Sequence, residues 1–128
     1  MATCNCAQAP KLIFPCSGAS DVGELSDRAA RKLSHKGVGN MYCLAGIGGG
    51  VGAMIESTKA ASGVLAIDGC TVHCTRKTLE KAGIKDFTHV EITANGYKKG
   101  SSPVTEESIA KVAELSEKLF SGKGGCCG

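Results

Sequence analysis

The chain has 128 residues, of which 42% are apolar, a net charge of +3 and eight cysteines. This length suits one domain with a sizeable core and no cross-links, and a positive charge so weak and scattered gives no reason to invoke nucleic acid. No apolar run is long enough to cross a bilayer, and the opening MATCNCAQAPK lacks the basic and apolar regions of a signal peptide. The expectation is therefore a cytoplasmic protein with reduced thiols, where cysteines bind metal or do redox chemistry more often than they form structural bridges. With three Phe, two Tyr and no Trp, the core must be built from Ala, Val, Ile and Leu.

Lys11–Phe14 is an apolar run that reads as a first strand. Over Asp21–Lys36 the residues Val22, Leu25, Ala29 and Leu33 recur at helical spacing, and Gly37 is a natural stop. A second strand is expected over Gly39–Leu44, then a glycine-rich turn at 46–52 and a helix from Gly52 to Ser62. Val64–Ile67 is continuously apolar, as in a parallel strand buried on both faces. A third helix is expected over Cys70–Ala82, stopped by Gly83, and Phe87–Ala94 alternates like a fourth strand. After a polar loop and Pro103, Thr105 can cap a last helix whose Ile109, Val112, Ser116, Leu119 and Phe120 share a face. Alternating strands and helices specify an α/β fold: a single three-layer domain over residues 1–128, Rossmann-like or flavodoxin-like, with a four-stranded, mostly parallel sheet. Its core spans about 11–120, and residues 1–10 and 121–128 are expected to be flexible, cysteine-containing tails.

Cys16, Cys43 and Cys70 each follow one of these strands, and Cys74 lies four residues beyond Cys70. Parallel neighbours would bring the first three together at the carboxyl edge, where open α/β sheets place their sites. Asp68-Gly69-Cys70 with Cys74 is the strongest motif, because on a helix positions i and i+4 share a face and both sulfurs could reach one ion. A helix N-terminus would also favour a thiolate at Cys70. The plain alternative is that these cysteines are small buried hydrophobes. Four soft donors at converging loops instead indicate a thiophilic ion, zinc first, held by Cys16, Cys43, Cys70 and Cys74. Four ligands would close the site; three would leave a position for water or an external thiol.

Two other chemistries compete. In a thiol-based redox or sulfur-transfer protein, Cys70 would be the nucleophile and a neighbouring cysteine would resolve it. Gly48-Gly49-Gly50-Val51-Gly52-Ala53 satisfies a dinucleotide fingerprint, with Asp68 twenty residues after Gly48 as the ribose-binding acid, so the 46–53 loop is a nucleotide candidate. Glycines that let the backbone pack closely around the cysteines would look the same. His73, one step from Cys74 on the expected helix, would point about 100° away from it, toward solvent. His35 and His89 read as a helix-end and a strand residue without catalytic partners, and no hydrolase constellation stands out. Cys4, Cys6, Cys126 and Cys127 sit in the tails; the vicinal pair Cys126-Cys127 between glycines suits shuttling a soft metal or a disulfide, and an unselected tail with adventitious thiols is the equal alternative.

The blocks Pro15-Cys16-Ser17-Gly18, Cys43-Leu44-Ala45-Gly46-Ile47-Gly48-Gly49 and Ile67-Asp68-Gly69-Cys70 with Cys74 resemble the DGC-domain proteins, small proteins named after the Asp-Gly-Cys motif. The resemblance covers Lys11 to Phe120. It implies a cysteine-based zinc site and no settled reaction, so a metal ion is the expected partner; charge and hydropathy, as above, give no reason to expect nucleic acid or a membrane.

Overall fold

The computed structural model of the protein describes residues 9–122. The four tail cysteines and most of the expected flexible tails lie outside the described residues. Ala9 and Pro10, however, are tied to Ser62 by their carbonyls and the last helix runs on to Gly122, so the ordered core is slightly longer than expected at both ends. Lys11–Pro15 (β1) leads into Asp21–Lys36 (α1), and Asn40–Met41 (β2) is followed by Leu44–Gly48 (α2) and Gly52–Lys59 (α3). Gly63–Asp68 (β3), Cys74–Lys81 (α4), Thr88–Glu91 (β4) and Glu106–Gly122 (α5) complete the order, with a 3-10 turn at Ile92–Asn95 after β4. The strands pair in the order β2-β1-β3-β4, and every pairing is parallel.

Successive side chains of a strand point to opposite faces, so β1 and β3 feed two cores. Ile13, Leu65 and Ile67 pack with Val22, Leu25 and Leu33 of α1 and Ile109 and Val112 of α5. Leu12, Phe14, Val64 and Ala66 pack with Ile47 of α2 and Leu79 of α4 on the other face. The result is the expected three-layer, flavodoxin-like arrangement. Local signals hold α1 in place: Ser20 accepts from Gly23 N at its start, and Gly37, at φ 89, returns its N–H to Leu33 O at its end. Thr105 caps α5 through Ser108 N as expected. Leu119, however, is 43% exposed, and the buried stripe of α5 runs through Ile109, Val112, Ser116 and Phe120.

Several boundaries differ from the sequence pattern, and for β2 and β4 the hydrogen bonds give the reason. β2 is two residues long rather than six. Its ladder continues through Tyr42 N, which donates to Ile13 O at 2.9 Å, but the next bond would come from the N–H of Pro15. Proline has none, so the pairing ends. The glycine-rich stretch expected as a turn begins instead as the short helix α2. β4 stops at Glu91 because the chain coils into its 3-10 turn, whose Thr93 N donates to Gly69 O at 3.2 Å.

Candidate functional site at the carboxyl edge

The strand order sets the row of thiols. Because β2, β1 and β3 are adjacent, Cys43, Cys16 and Cys70 emerge side by side, about 4.8 Å apart from strand to strand. From β1 the chain turns through α1 to β2 on one side and later returns as β3 on the other. The crevice of such a reversal opens beyond the carboxyl end of β1, at Cys16.

Cys16 is held by its surroundings. Its N–H continues the ladder to Ile67 O at 2.9 Å, and its Sγ lies 3.3 Å from the hydroxyl of Ser26 on α1. Ser26 also accepts from Ser17 N and donates to Gly23 O, and Ser17 donates its hydroxyl to Asp27 at 2.7 Å. These bonds secure the turn even though Ser17 adopts a left-handed conformation, φ 51. A cleft of about 840 Å³ opens beside it. Cys16 and Cys43 both line this cleft, together with Arg31 and His35 from α1, Tyr42 and Thr78. His35 is thus the helix-end residue the sequence suggested, and it also faces the cleft.

The Asp-Gly-Cys segment is built differently. The helix expected from Cys70 starts at Cys74, so the two cysteines do not share a helical face and Cys70 has no helix N-terminus beneath it. The residue ahead of α4, His73, sits in the left-handed region at φ 57 and offers no side-chain cap. Asp68 supplies the cap from the end of β3: its carboxylate accepts from Thr75 N at 2.7 Å and Arg76 N at 3.1 Å. Two of the otherwise unpaired N–H groups of α4 are thereby satisfied. Burial works against charge on Asp68, which is 1% exposed, but the bonds from His89, Thr75 and Arg76 hold its carboxyl below its ordinary pKa.

Two of the three histidines, His73 and His89, have carboxylate partners that the sequence did not suggest. His89 Nε2 donates to Asp68 at 2.8 Å and His73 Nε2 to Glu91 at 2.5 Å, and the rings meet edge to face with centroids 4.9 Å apart. His73 is not solvent-facing, its side chain being 24% exposed. Hydrogen bonds from Thr93 and His73 lower the pKa of Glu91. The available signal was the period of β4, which puts His89 and Glu91 on one face; the register pairing Asp68 with Glu91 was not legible. Gly69 is fixed by contact, since a Cβ there would stand 2.8 Å from the backbone carbonyl of Val22. Cys70 packs against the α1/α5 core, with Lys99 Nζ 3.8 Å from its sulfur. The loop carrying Lys99 is anchored by Asp21, which accepts from Gly100 N and Ser102 N at 2.9 Å each.

The dinucleotide reading of the 46–53 loop loses its geometry. Gly48 ends α2 instead of making the turn between a strand and a helix N-terminus, and the carboxylate of Asp68 is spent inside the fold. For a metal, the donor chemistry suits a thiophilic ion: Cys16, Cys43, Cys70 and Cys74 are all free thiols, and Cys43 and Cys74 are exposed. Their spacing is not that of a finished cage. Among the described residues no three Cys, His, Asp or Glu side chains are gathered around one ion. Nor is any described helix long and apolar enough to cross a membrane.

Comparison with known proteins agrees with this architecture of motifs. The chain is 32% identical over 113 residues, 87% of its length and 86% of the relative's, to the anaerobic and virulence modulator AnvM of Pseudomonas aeruginosa. No solved structure matches it. The family model described as the DGC domain matches residues 12–115, a span that includes all four carboxyl-edge cysteines together with the buried Asp68 and Gly69, and the chain therefore belongs to the DGC-domain family.

Proposed function

We propose that the carboxyl edge is a thiol centre whose ligand is a thiophilic metal ion, zinc in the first instance, with Cys16, Cys43, Cys70 and Cys74 as the donors. One observation carries this reading: three adjacent parallel strands each deliver a free cysteine at the same end of the sheet, with a fourth opening α4. The site is completed on binding, because the exposed Cys43 and Cys74 can be drawn in without disturbing the core. The protein's own part is to hold the half-buried Cys16 and Cys70 on the sheet edge, through Ser26 for the first and core packing for the second. The relative named as an anaerobic and virulence modulator suggests a regulatory use, and a thiol centre that works while reduced suits such a role.

Zinc loading followed by competition with a chelator tests the reading. Each of Cys16→Ser, Cys43→Ser, Cys70→Ser and Cys74→Ser should weaken zinc retention, and X-ray absorption should show sulfur at about 2.3 Å. Cys4→Ser and Cys127→Ser should have no effect. Full retention after loss of both Cys70 and Cys74 would overturn the ligand set.

A further inference from the structure

Two thiols of this edge share one cleft. Cys43 is exposed, Cys16 is half-buried, and both line the cavity with Arg31 and His35. Tyr42 N makes the last bond of β2 to β1, so Cys43 leaves the sheet just beyond that bond, and Cys16 leaves it just beyond Pro15 on the adjacent strand. Neighbouring strands lie about 4.8 Å apart, so two segments that leave adjacent strands at one edge start within the roughly 4.4–6.8 Å between Cα atoms that a disulfide spans. The cleft, about 840 Å³, is of a size to enclose a small molecule. Arg31 gives Nε to Asp27 at 2.7 Å while 60% of its side chain stays exposed, so the guanidinium can also take up a carboxylate at the cleft wall.

The geometry points to a second activity: Cys43 and Cys16 form a redox-active dithiol that reduces a small, carboxylate-bearing disulfide held in this cleft. Cys43, the accessible thiol, attacks as its thiolate. The disulfide's S–S bond breaks, a mixed disulfide forms on Cys43, and the first half leaves as a thiolate that takes up the proton lost by Cys43. Cys16 then attacks the sulfur of Cys43, the Cys16–Cys43 bond forms, and the second half leaves with the proton from Cys16. The protein dithiol is oxidised by two electrons and the small disulfide is reduced to two thiols. The Cys70 nucleophile expected from sequence is not needed, and neither is a metal.

The test uses the reduced full chain in the continuous presence of a chelator, with oxidised glutathione as the probe. Peptide mapping should find a Cys16–Cys43 bridge, with both halves of the probe released as thiol. Cys16→Ser should stop the reaction at a stable mixed disulfide on Cys43. Arg31→Ala should slow oxidised glutathione about tenfold, the loss of one charge-assisted hydrogen bond, without changing the rate with bis(2-hydroxyethyl) disulfide, which has no carboxylate. Cys74, also exposed but absent from the cleft lining, is the internal reference and should react no faster than Cys43 does in the Arg31→Ala chain. Adducts spread evenly over Cys43 and Cys74, or no Cys16–Cys43 bridge, would overturn the dithiol. An equal effect of Arg31→Ala on both disulfides would overturn carboxylate recognition. Because no metal is present, failure here is separate from failure of the zinc reading.

Discussion

The two halves of the carboxyl edge contrast. On the β3–β4 side the carboxylates and histidines are paired within the fold: Asp68 caps α4 and holds His89, and Glu91 holds His73. On the β1–β2 side the groups face a cleft, and the thiols of Cys16 and Cys43 remain free. The Asp and Gly of the motif that gives the family its name therefore do structural work, one as a remote helix cap and the other as a point of backbone approach to Val22. The thiols at this edge are free, and the pair away from that motif shares a cleft.

The sharpest way to break this contrast is at Asp68. Asp68→Ala removes a buried charge-assisted cap and leaves His89 unpaired, so it should cost about 3 kcal/mol in urea unfolding, provided that the variant folds. The alkylation rate of Cys43 should not change; a large change would mean that the two halves are coupled. Gly69→Ala should cost about 2 kcal/mol, because the added methyl meets backbone that must shift. Cys43→Ser is the reverse case. Exposed as it is, it should alter stability by less than about 0.5 kcal/mol yet lower zinc retention and remove the cleft thiol.

The smallest effect concerns acid. The N–H groups of Gly100 and Ser102 hold the carboxyl of Asp21 below its ordinary value of 3.8. A depressed carboxylate contributes stabilisation that is complete above its unfolded pKa and is lost as pH falls through the folded one. The anchor of the 96–102 loop should thus loosen only below about pH 4, seen as faster amide exchange at Gly100 and Ser102 relative to the core. Asp21→Asn should flatten that dependence. Since Lys99 rides on this loop, the same change should reduce its proximity to Cys70.

The sequence by itself determined the alternation of strands and helices, the caps of α1 and α5, and the delivery of Cys16, Cys43 and Cys70 to one sheet edge. These follow from local signals: apolar period, a capping serine or threonine, and glycine stops. Even the shortness of β2 was written in Pro15, but its consequence depends on which strand lies beside it. Only the tertiary structure decided that Cys70 precedes its helix rather than opening it, because the cap of α4 comes from Asp68, seven residues before Thr75. It alone decided that His89 and Glu91 meet Asp68 and His73 across the β3–β4 register. Pairing order and register are set by how whole strands and helices pack, and no short window of sequence carries that information. The same holds for the cleft, where the thiols that follow β1 and β2 meet Arg31 and His35 of α1 only once β2 has docked beside β1.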